Sequence, residues 1–152
     1  STLNFDWYYD WRFNYLPERN TDPRYVRMVW CLGVVDTDIY SITHTITDTA
    51  REDFNRNWRG RVWLIFNEPD GNGGCGGSTL INDRQVHSDA IGTAHHYGAV
   101  YDMIKSADPY AKVYGGGLVW LNYSETRLWW QSFVYTSVPW GFNCNHVYYD
   151  LC

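Results

Sequence analysis

Short apolar and aromatic runs alternate along the chain with longer stretches that carry capping residues and charges. Five runs have the length of a strand, at 5–9, 25–31, 61–66, 112–116 and 144–149. Helices are predicted over 41–58, 86–107 and 125–136, the last after Ser124 as a cap. Strands that alternate with helices indicate βα units, and therefore an α/β fold with a parallel sheet.

The run VWLIF at 62–66 is apolar at consecutive positions, which is typical of a strand covered on both faces. No repeat, low-complexity tract or linker divides residues 1–152. The sequence therefore predicts a single domain.

The composition disfavours two classes of partner. The net charge is -5, and the 12 Lys and Arg residues are scattered, which argues against binding to nucleic acid. No apolar run approaches the ~18 residues of a membrane span. Aromatic residues make up 18% of the chain, with 9 Trp and 13 Tyr, so we expect some exposed rings that stack on sugars. For any single ring, a place in a Trp-rich core is the alternative.

Cysteine usage indicates an oxidising compartment. Cys31, Cys75, Cys144 and Cys152 are even in number and follow no metal-ligand spacing, which favours disulfides and a secreted protein. Buried free thiols are the alternative. The tripeptide that begins at Asn122 fits a glycosylation acceptor. If the protein is secreted, we expect the sequence to be its mature form.

Candidate site residues gather where the predicted strands end. In parallel α/β folds the ligand site lies at the carboxyl ends of the strands. Aromatic, carboxylate, amide and imidazole side chains follow those ends, which is the composition of a carbohydrate cleft. The residues expected there are Asp10, Trp30, Asn67, Glu68, Trp120, His146 and Tyr148.

Glu68 is the predicted general acid/base. A carboxyl group just past a buried strand is partly desolvated, and this raises its pKa toward the value that protonates a glycosidic oxygen. Asn67 would orient a sugar hydroxyl, and Pro69 would stiffen the turn. The alternative is an ordinary strand end with a solvated glutamate and a turn proline.

Two further features carry less chemistry. The segment 71–77 contains five glycines but lacks the Lys-Ser/Thr ending of a phosphate loop, so we expect a loop over the site. The spacing of His87, His95 and His96 does not bring three imidazoles to one helix face. We therefore expect no metal site and no cofactor.

Several motifs resemble those of glycoside hydrolases. FNEPD at 66–70 resembles the strand-end motif of clan A, and the order of motifs is most similar to family 128, the endo-β-1,3-glucanases. WYYDW at 7–11 is similar to that family's first strand, Trp-x-Tyr-Asn-Trp, with Asp10 in place of Asn. MVW at 28–30 is similar to its Met-Leu-Trp, and HVY at 146–148 to its His-Trp-Tyr. The stretch 104–117 resembles a helix-to-strand join common in such hydrolases.

The resemblance implies a (β/α)8 TIM barrel and a retaining mechanism, with Glu68 as acid/base and a second glutamate from a later strand as nucleophile. The family's final Thr-Glu motif has no counterpart up to Cys152. A full barrel typically needs ~250 residues. We therefore expect an incomplete barrel of five or six βα units.

Three hypotheses follow. In the first, the chain is part of a hydrolase whose nucleophile lies beyond residue 152 or on another chain. In the second, it is a non-catalytic secreted carbohydrate-binding or structural protein. In the third, Asp10, Asp70 or Asp150 replaces the nucleophile. The expected partner is a polysaccharide or oligosaccharide. A homo-oligomer or a partner chain would cover open sheet edges.

Overall fold

The computed structural model describes residues 6–9, 13, 22–30, 39–67, 69, 80–81, 84–85, 90–115 and 124–140. The elements are, in chain order, β1 (Arg27–Val29), α1 (Ile39–Asn55), β2 (Val62–Ile65), β3 (Leu80–Ile81), β4 (Arg84–Gln85), α2 (Ala90–Ala107), β5 (Lys112–Gly115) and α3 (Ser124–Ser137). A 3-10 turn, Val138–Trp140, follows α3.

Three of the strands form a parallel sheet in the order β1-β2-β5. The register aligns Val29 with Ile65 and Ile65 with Gly115, so the three strands end at the same level. Between consecutive strands of this sheet the chain forms α1 and then α2. The α/β class that the alternation of apolar runs predicts is therefore confirmed.

One face of the sheet packs against the helices. Val29, Trp63 and Ile65 are almost fully buried and share one core with all three helices. Each such side chain contributes about 1.5–3 kcal/mol on burial. The helices contribute Ile46, Ala50, Ala90, Ala94, Tyr97, Val100, Ile104, Trp130, Phe133 and Val134.

The opposite face carries a second row in register. Met28 lies beside Leu64, and Leu64 lies beside Tyr114. Met28 is buried, whereas Leu64 and Tyr114 are half-buried. Because side chains alternate along a strand, this row points away from the helical layer.

A buried ion network joins the amino ends of β1 and β2 to α1. The Asp53 carboxylate accepts two hydrogen bonds from the Arg27 guanidinium, at 2.6 and 2.7 Å, and lies 3.6 Å from Arg61 Nε. Arg27 also donates to the Phe13 carbonyl. Burial lowers the pKa of Arg61 from its ordinary value. One carboxylate therefore faces two guanidinium groups inside the protein, and Asp53 offsets part of their charge.

Asp108 fixes the loops that precede β2 and β5. Its buried carboxylate accepts the backbone N–H groups of Gly60, at 2.8 Å, and Tyr110, at 3.0 Å. Gly60 has φ +83°, a conformation that glycine adopts without a Cβ penalty. The Lys112 N–H donates to the Arg61 carbonyl at 3.0 Å. The amino ends of the two strands are thus held together by backbone and side-chain bonds.

Helix α1 ends at Asn55, three residues before its predicted end at Trp58. Asn57 adopts a left-handed conformation with φ 69°, and its N–H donates to the Phe54 carbonyl. The Trp58 N–H donates to the Asp53 carbonyl at 2.9 Å. This pair of bonds is the Schellman motif, whose left-handed position is usually occupied by glycine and sometimes by asparagine.

The remaining predicted elements have mixed outcomes. Helices α2 and α3 match the predicted segments where these are described, and α2 ends before Asp108 as expected. The first apolar run contributes one parallel bridge, between Tyr8 and Tyr25. The antiparallel pair β3–β4 was not predicted. Residues 144–149 and the glycine-rich segment 71–77 lie outside the described residues.

Among the described helices, none combines the length and the apolar character that a membrane crossing requires. All four cysteines and Asn122 lie outside the described residues. Disulfides and glycosylation therefore stay predictions.

Candidate functional site

The carboxyl ends of β1 and β2 bring two of the predicted site residues together. Backbone pairing continues past both strands, because the Phe66 N–H donates to the Val29 carbonyl at 2.8 Å and the Asn67 N–H donates to the Trp30 carbonyl at 3.1 Å. Both Trp30 and Asn67 are half-buried. Trp30 and Asn67 are therefore backbone neighbours at the edge where ligand sites of parallel sheets form.

The backbone turns sharply at Phe66, immediately before this pair. Phe66 has φ 67° although it is not glycine, and it is 4% exposed. Left-handed backbone at a bulky residue costs roughly 1–2 kcal/mol and persists where the surroundings over-determine it. Here the ring is packed in the core and the N–H is bonded to Val29. The backbone conformation of Phe66, immediately before Asn67, is therefore fixed by packing.

The third strand end lies beside this edge. Gly115 is level with Ile65, and Tyr114 precedes it on the face away from the helices. Earlier on the same strand, the Val113 carbonyl accepts a hydrogen bond from the buried Tyr97 hydroxyl at 3.5 Å. Burial raises the pKa of Tyr97 above its ordinary value, so this phenol stays protonated and acts as a packing residue.

The other predicted site residues lie outside the described part of the chain. Glu68 follows Asn67 directly in the chain and precedes the buried Pro69, but it lies outside the described residues. The remaining predicted residues that also lie outside them are Asp10, Trp120, His146 and Tyr148, with Asp70 and Asp150 as candidate nucleophiles.

Within the described ranges, no group of three or more His, Cys, Asp or Glu side chains is arranged to hold a metal ion. His95 lies on α2 with its ring edge-on to Trp140, at a centroid distance of 5.7 Å. This histidine therefore belongs to the packing of α2 against the 3-10 turn. His87 lies outside the described residues.

The sequence prediction missed two features of this molecule. One is the left-handed Phe66, for which the only signal was the abrupt end of an apolar run at Asn67 and a proline. The other is the outward pair Trp7 and Tyr9, which is stacked and exposed. Their spacing of two residues is the signal that would have found them, because alternate residues of an extended segment share a face.

The family model described as glycosyl hydrolase catalytic core matches residues 1–151. No significant match was found among curated proteins or solved structures.

Proposed function

Because the chain belongs to the glycosyl hydrolase catalytic core family, we propose that it cleaves a β-linked polysaccharide by retaining chemistry, with Glu68 as general acid/base. The family membership supports a glycoside hydrolase-like function with a polysaccharide substrate. The linkage, the retaining course and the role of Glu68 are the proposal.

The observation that carries the proposal is the bonded edge formed by Trp30 and Asn67. This edge lies at the carboxyl ends of two neighbouring parallel strands, and Glu68 is the next residue in the chain. The packed left-handed turn at Phe66, two residues before Glu68 in the chain, supports the proposal, since small misplacements of a catalytic group cost large factors in rate.

In the proposed reaction, the protonated Glu68 gives its proton to the glycosidic oxygen while a second carboxylate attacks the anomeric carbon. Glu68 then removes a proton from water, which hydrolyses the glycosyl-enzyme bond. Asn67 would hydrogen-bond a sugar hydroxyl, and Trp30 would stack on a sugar face. The second carboxylate must lie ~5–5.5 Å from Glu68.

We further propose that the described elements are part of a (β/α)8 barrel of the family 128 type. Three features support this: the strands are parallel, the helices cover one face, and the row of Met28, Leu64 and Tyr114 is available to line a barrel interior. The nucleophile would come from a later strand, beyond residue 152 or on another chain. Secretion is part of the same proposal and rests on the cysteine pattern.

The Glu68→Gln variant tests the catalytic assignment. It keeps the size of the side chain but cannot exchange the proton, so release of reducing sugar from a β-1,3-glucan should fall at least a hundredfold. The matched control is Glu52→Gln, which makes the same change at an exposed residue of α1. Unchanged turnover in Glu68→Gln would remove the assignment.

Two further readouts separate the remaining hypotheses. Proton NMR of the first product distinguishes retention from inversion at the anomeric carbon. If the wild-type protein releases no sugar but binds the polymer, the non-catalytic carbohydrate-binding hypothesis replaces the enzyme.

A further inference from the structure

The alternation of side chains along β2 breaks at Phe66. In a regular strand, successive side chains point to opposite faces of the sheet. Trp63 and Ile65 belong to the core that the sheet shares with the helices, and Leu64, between them, points away from the helical layer. Continued alternation would place Phe66 with Leu64. Instead, the Phe66 ring belongs to the same core as Ile65. Two consecutive side chains therefore lie on the helical side of the sheet.

The backbone hydrogen bonds show the same irregularity. Successive N–H groups of a regular strand point to opposite neighbouring strands. Past the end of β2, however, two successive N–H groups donate to the β1 side: that of Phe66 to the Val29 carbonyl and that of Asn67 to the Trp30 carbonyl. The left-handed φ of 67° at Phe66 rotates the peptide that follows it. Together these features make a β-bulge, in which one extra residue re-aims the side chains after it.

The bulge changes which residue is set to share a face with Trp30. The register of β1 with β2, continued by one residue, would pair Trp30 with Phe66. Because the Phe66 ring turns into the helical core, Asn67 is the next residue in line for the opposite face. Trp30 follows Met28 by two residues, and alternation assigns both of them to that face.

We propose that Phe66 is a positioning residue, whose bulge directs the Asn67 side chain away from the helices and onto the face of Trp30. In the proposed barrel this face points inward, and its carboxyl end is the mouth where substrates bind. Without the bulge, Asn67 would follow Ile65 into the apolar helical core, where an amide is costly to bury unless it is hydrogen-bonded. The role of Asn67 toward a sugar hydroxyl rests on the proposed function.

The side chain at position 66 controls whether the bulge forms. Left-handed backbone is unfavourable for any residue with a Cβ, and burial of the Phe66 ring, which is 4% exposed, offsets that cost. Leucine is apolar and unbranched at Cβ, so Phe66→Leu can be buried in the same way. Valine is apolar too, but branching at Cβ makes positive φ a severe outlier. Phe66→Val should therefore return the strand to regular alternation.

Hydrogen exchange of the Asn67 N–H, measured by NMR, tests the bulge without requiring activity. The exchange rate of Asn67 is divided by that of Ile65 in the same molecule, so that changes in global stability cancel. We expect this ratio to rise at least about tenfold in Phe66→Val and to change less than about threefold in Phe66→Leu. The matched control is Phe133→Val, which removes another buried ring of the same core and should leave the ratio unchanged.

A double-mutant cycle tests whether Phe66 acts through Asn67. The kcat/KM for soluble β-1,3-glucan is measured for Phe66→Val, Asn67→Ala and their double, at a temperature where circular dichroism shows each to be folded. We expect each single change to lower kcat/KM at least about fivefold, as for one lost hydrogen bond, and the double to lose no more than the larger single. Phe66→Leu and Phe133→Val should stay within about twofold of the wild type. If the wild type binds the glucan without cleaving it, the association constant replaces kcat/KM.

Three results would overturn the inference. An unchanged exchange ratio in Phe66→Val would mean that Phe66 does not direct Asn67. Losses that multiply in the double variant would make Phe66 a core residue with no positioning role. An equal loss of kcat/KM in Phe133→Val would assign the effect to lowered stability.

Failure of the proposed function gives different results. A wild type that neither cleaves nor binds the glucan would remove that function and the substrate role of Asn67 with it, while the exchange ratio would still decide whether the bulge directs Asn67. Unchanged turnover in Glu68→Gln would remove only the acid/base assignment and would leave the cycle between Phe66 and Asn67 valid.

Discussion

The buried network around Asp53 gives a stability prediction that can be worked out from the structure. Asp53 is fully buried and serves two buried arginines, Arg27 and Arg61. The Asp53→Asn variant keeps the side-chain volume and one acceptor oxygen but removes the only charge in this network that opposes the guanidinium groups. We therefore expect the protein to lose about 3–5 kcal/mol of unfolding free energy, the usual cost of breaking a buried pair from one side.

This loss is large relative to the total. Domains have unfolding free energies of about 5–15 kcal/mol, so the variant loses a substantial part of its margin. With an unfolding entropy of roughly 0.3 kcal/mol/K for a chain of 152 residues, the thermal midpoint falls by about 10–15 °C. Urea titration followed by tryptophan fluorescence measures the unfolding free energy. If its slope against urea concentration is the same in the variant and the wild type, their unfolded states are comparable.

The matched control lies on the same helix. Asp48→Asn makes the same substitution in an exposed ion pair with Arg51, at 3.0 Å, and should change stability by less than about 1 kcal/mol. A triple variant with Arg27→Met, Asp53→Leu and Arg61→Met removes all three charges and should recover most of the loss. If Asp53→Asn costs no more than Asp48→Asn, the network does not carry the charge compensation that its geometry indicates.

Three other predictions concern single positions. A Cβ at Gly98 would collide with the Trp140 ring, so Gly98→Ala should cost about 1–2 kcal/mol, since overpacking outweighs the helix-propensity gain of about 1 kcal/mol. In a Trp140→Ala background the same change should become stabilising, and urea titrations that show the same sign in both backgrounds would contradict the packing argument. Phe66→Gly should be about 1 kcal/mol more stable than Phe66→Ala, because both delete the ring and only glycine adopts the left-handed backbone without strain. A higher thermal midpoint for Phe66→Ala than for Phe66→Gly would refute this. Hydrogen bonds from Arg24 lower the pKa of Asp22 to about 2 from 3.8, so the stabilising contribution of this carboxylate is complete above pH 4 and is lost as the pH falls toward 2. Asp22→Asn should therefore make the unfolding free energy less dependent on pH between 4 and 2. An unchanged pH dependence in that range would contradict this prediction.

The fold class could be read from the sequence because it depends on local patterns. The apolar runs at 61–66 and 112–116 matched β2 and β5 within one residue at each end, because short apolar or aromatic runs are the local sequence signal of a strand. The end of α1 could not be read in this way. It depends on the left-handed conformation of Asn57, a choice between helix and turn that asparagine leaves to its surroundings.

The candidate site was predictable in part. The rule that ligands bind at the carboxyl ends of parallel strands placed Trp30 and Asn67 at one edge, and the structure brings them into backbone contact there. The turn at Phe66 depends on tertiary packing of its ring, which a one-dimensional pattern does not encode. The bonds among Arg27, Asp53 and Arg61 are likewise invisible in sequence, because charged residues at these positions also suit a solvated surface.

Asp53 also bears on the order in which the chain folds. All three members of its network lie between β1 and the start of β2, so one βαβ unit contains the whole network. The contact between Arg27 and Asp53 closes a loop of 26 residues, and the cost of loop closure grows with the length of the loop. We expect this unit to acquire hydrogen-exchange protection before α3 docks, so that during synthesis it can order while the later helices are still being made.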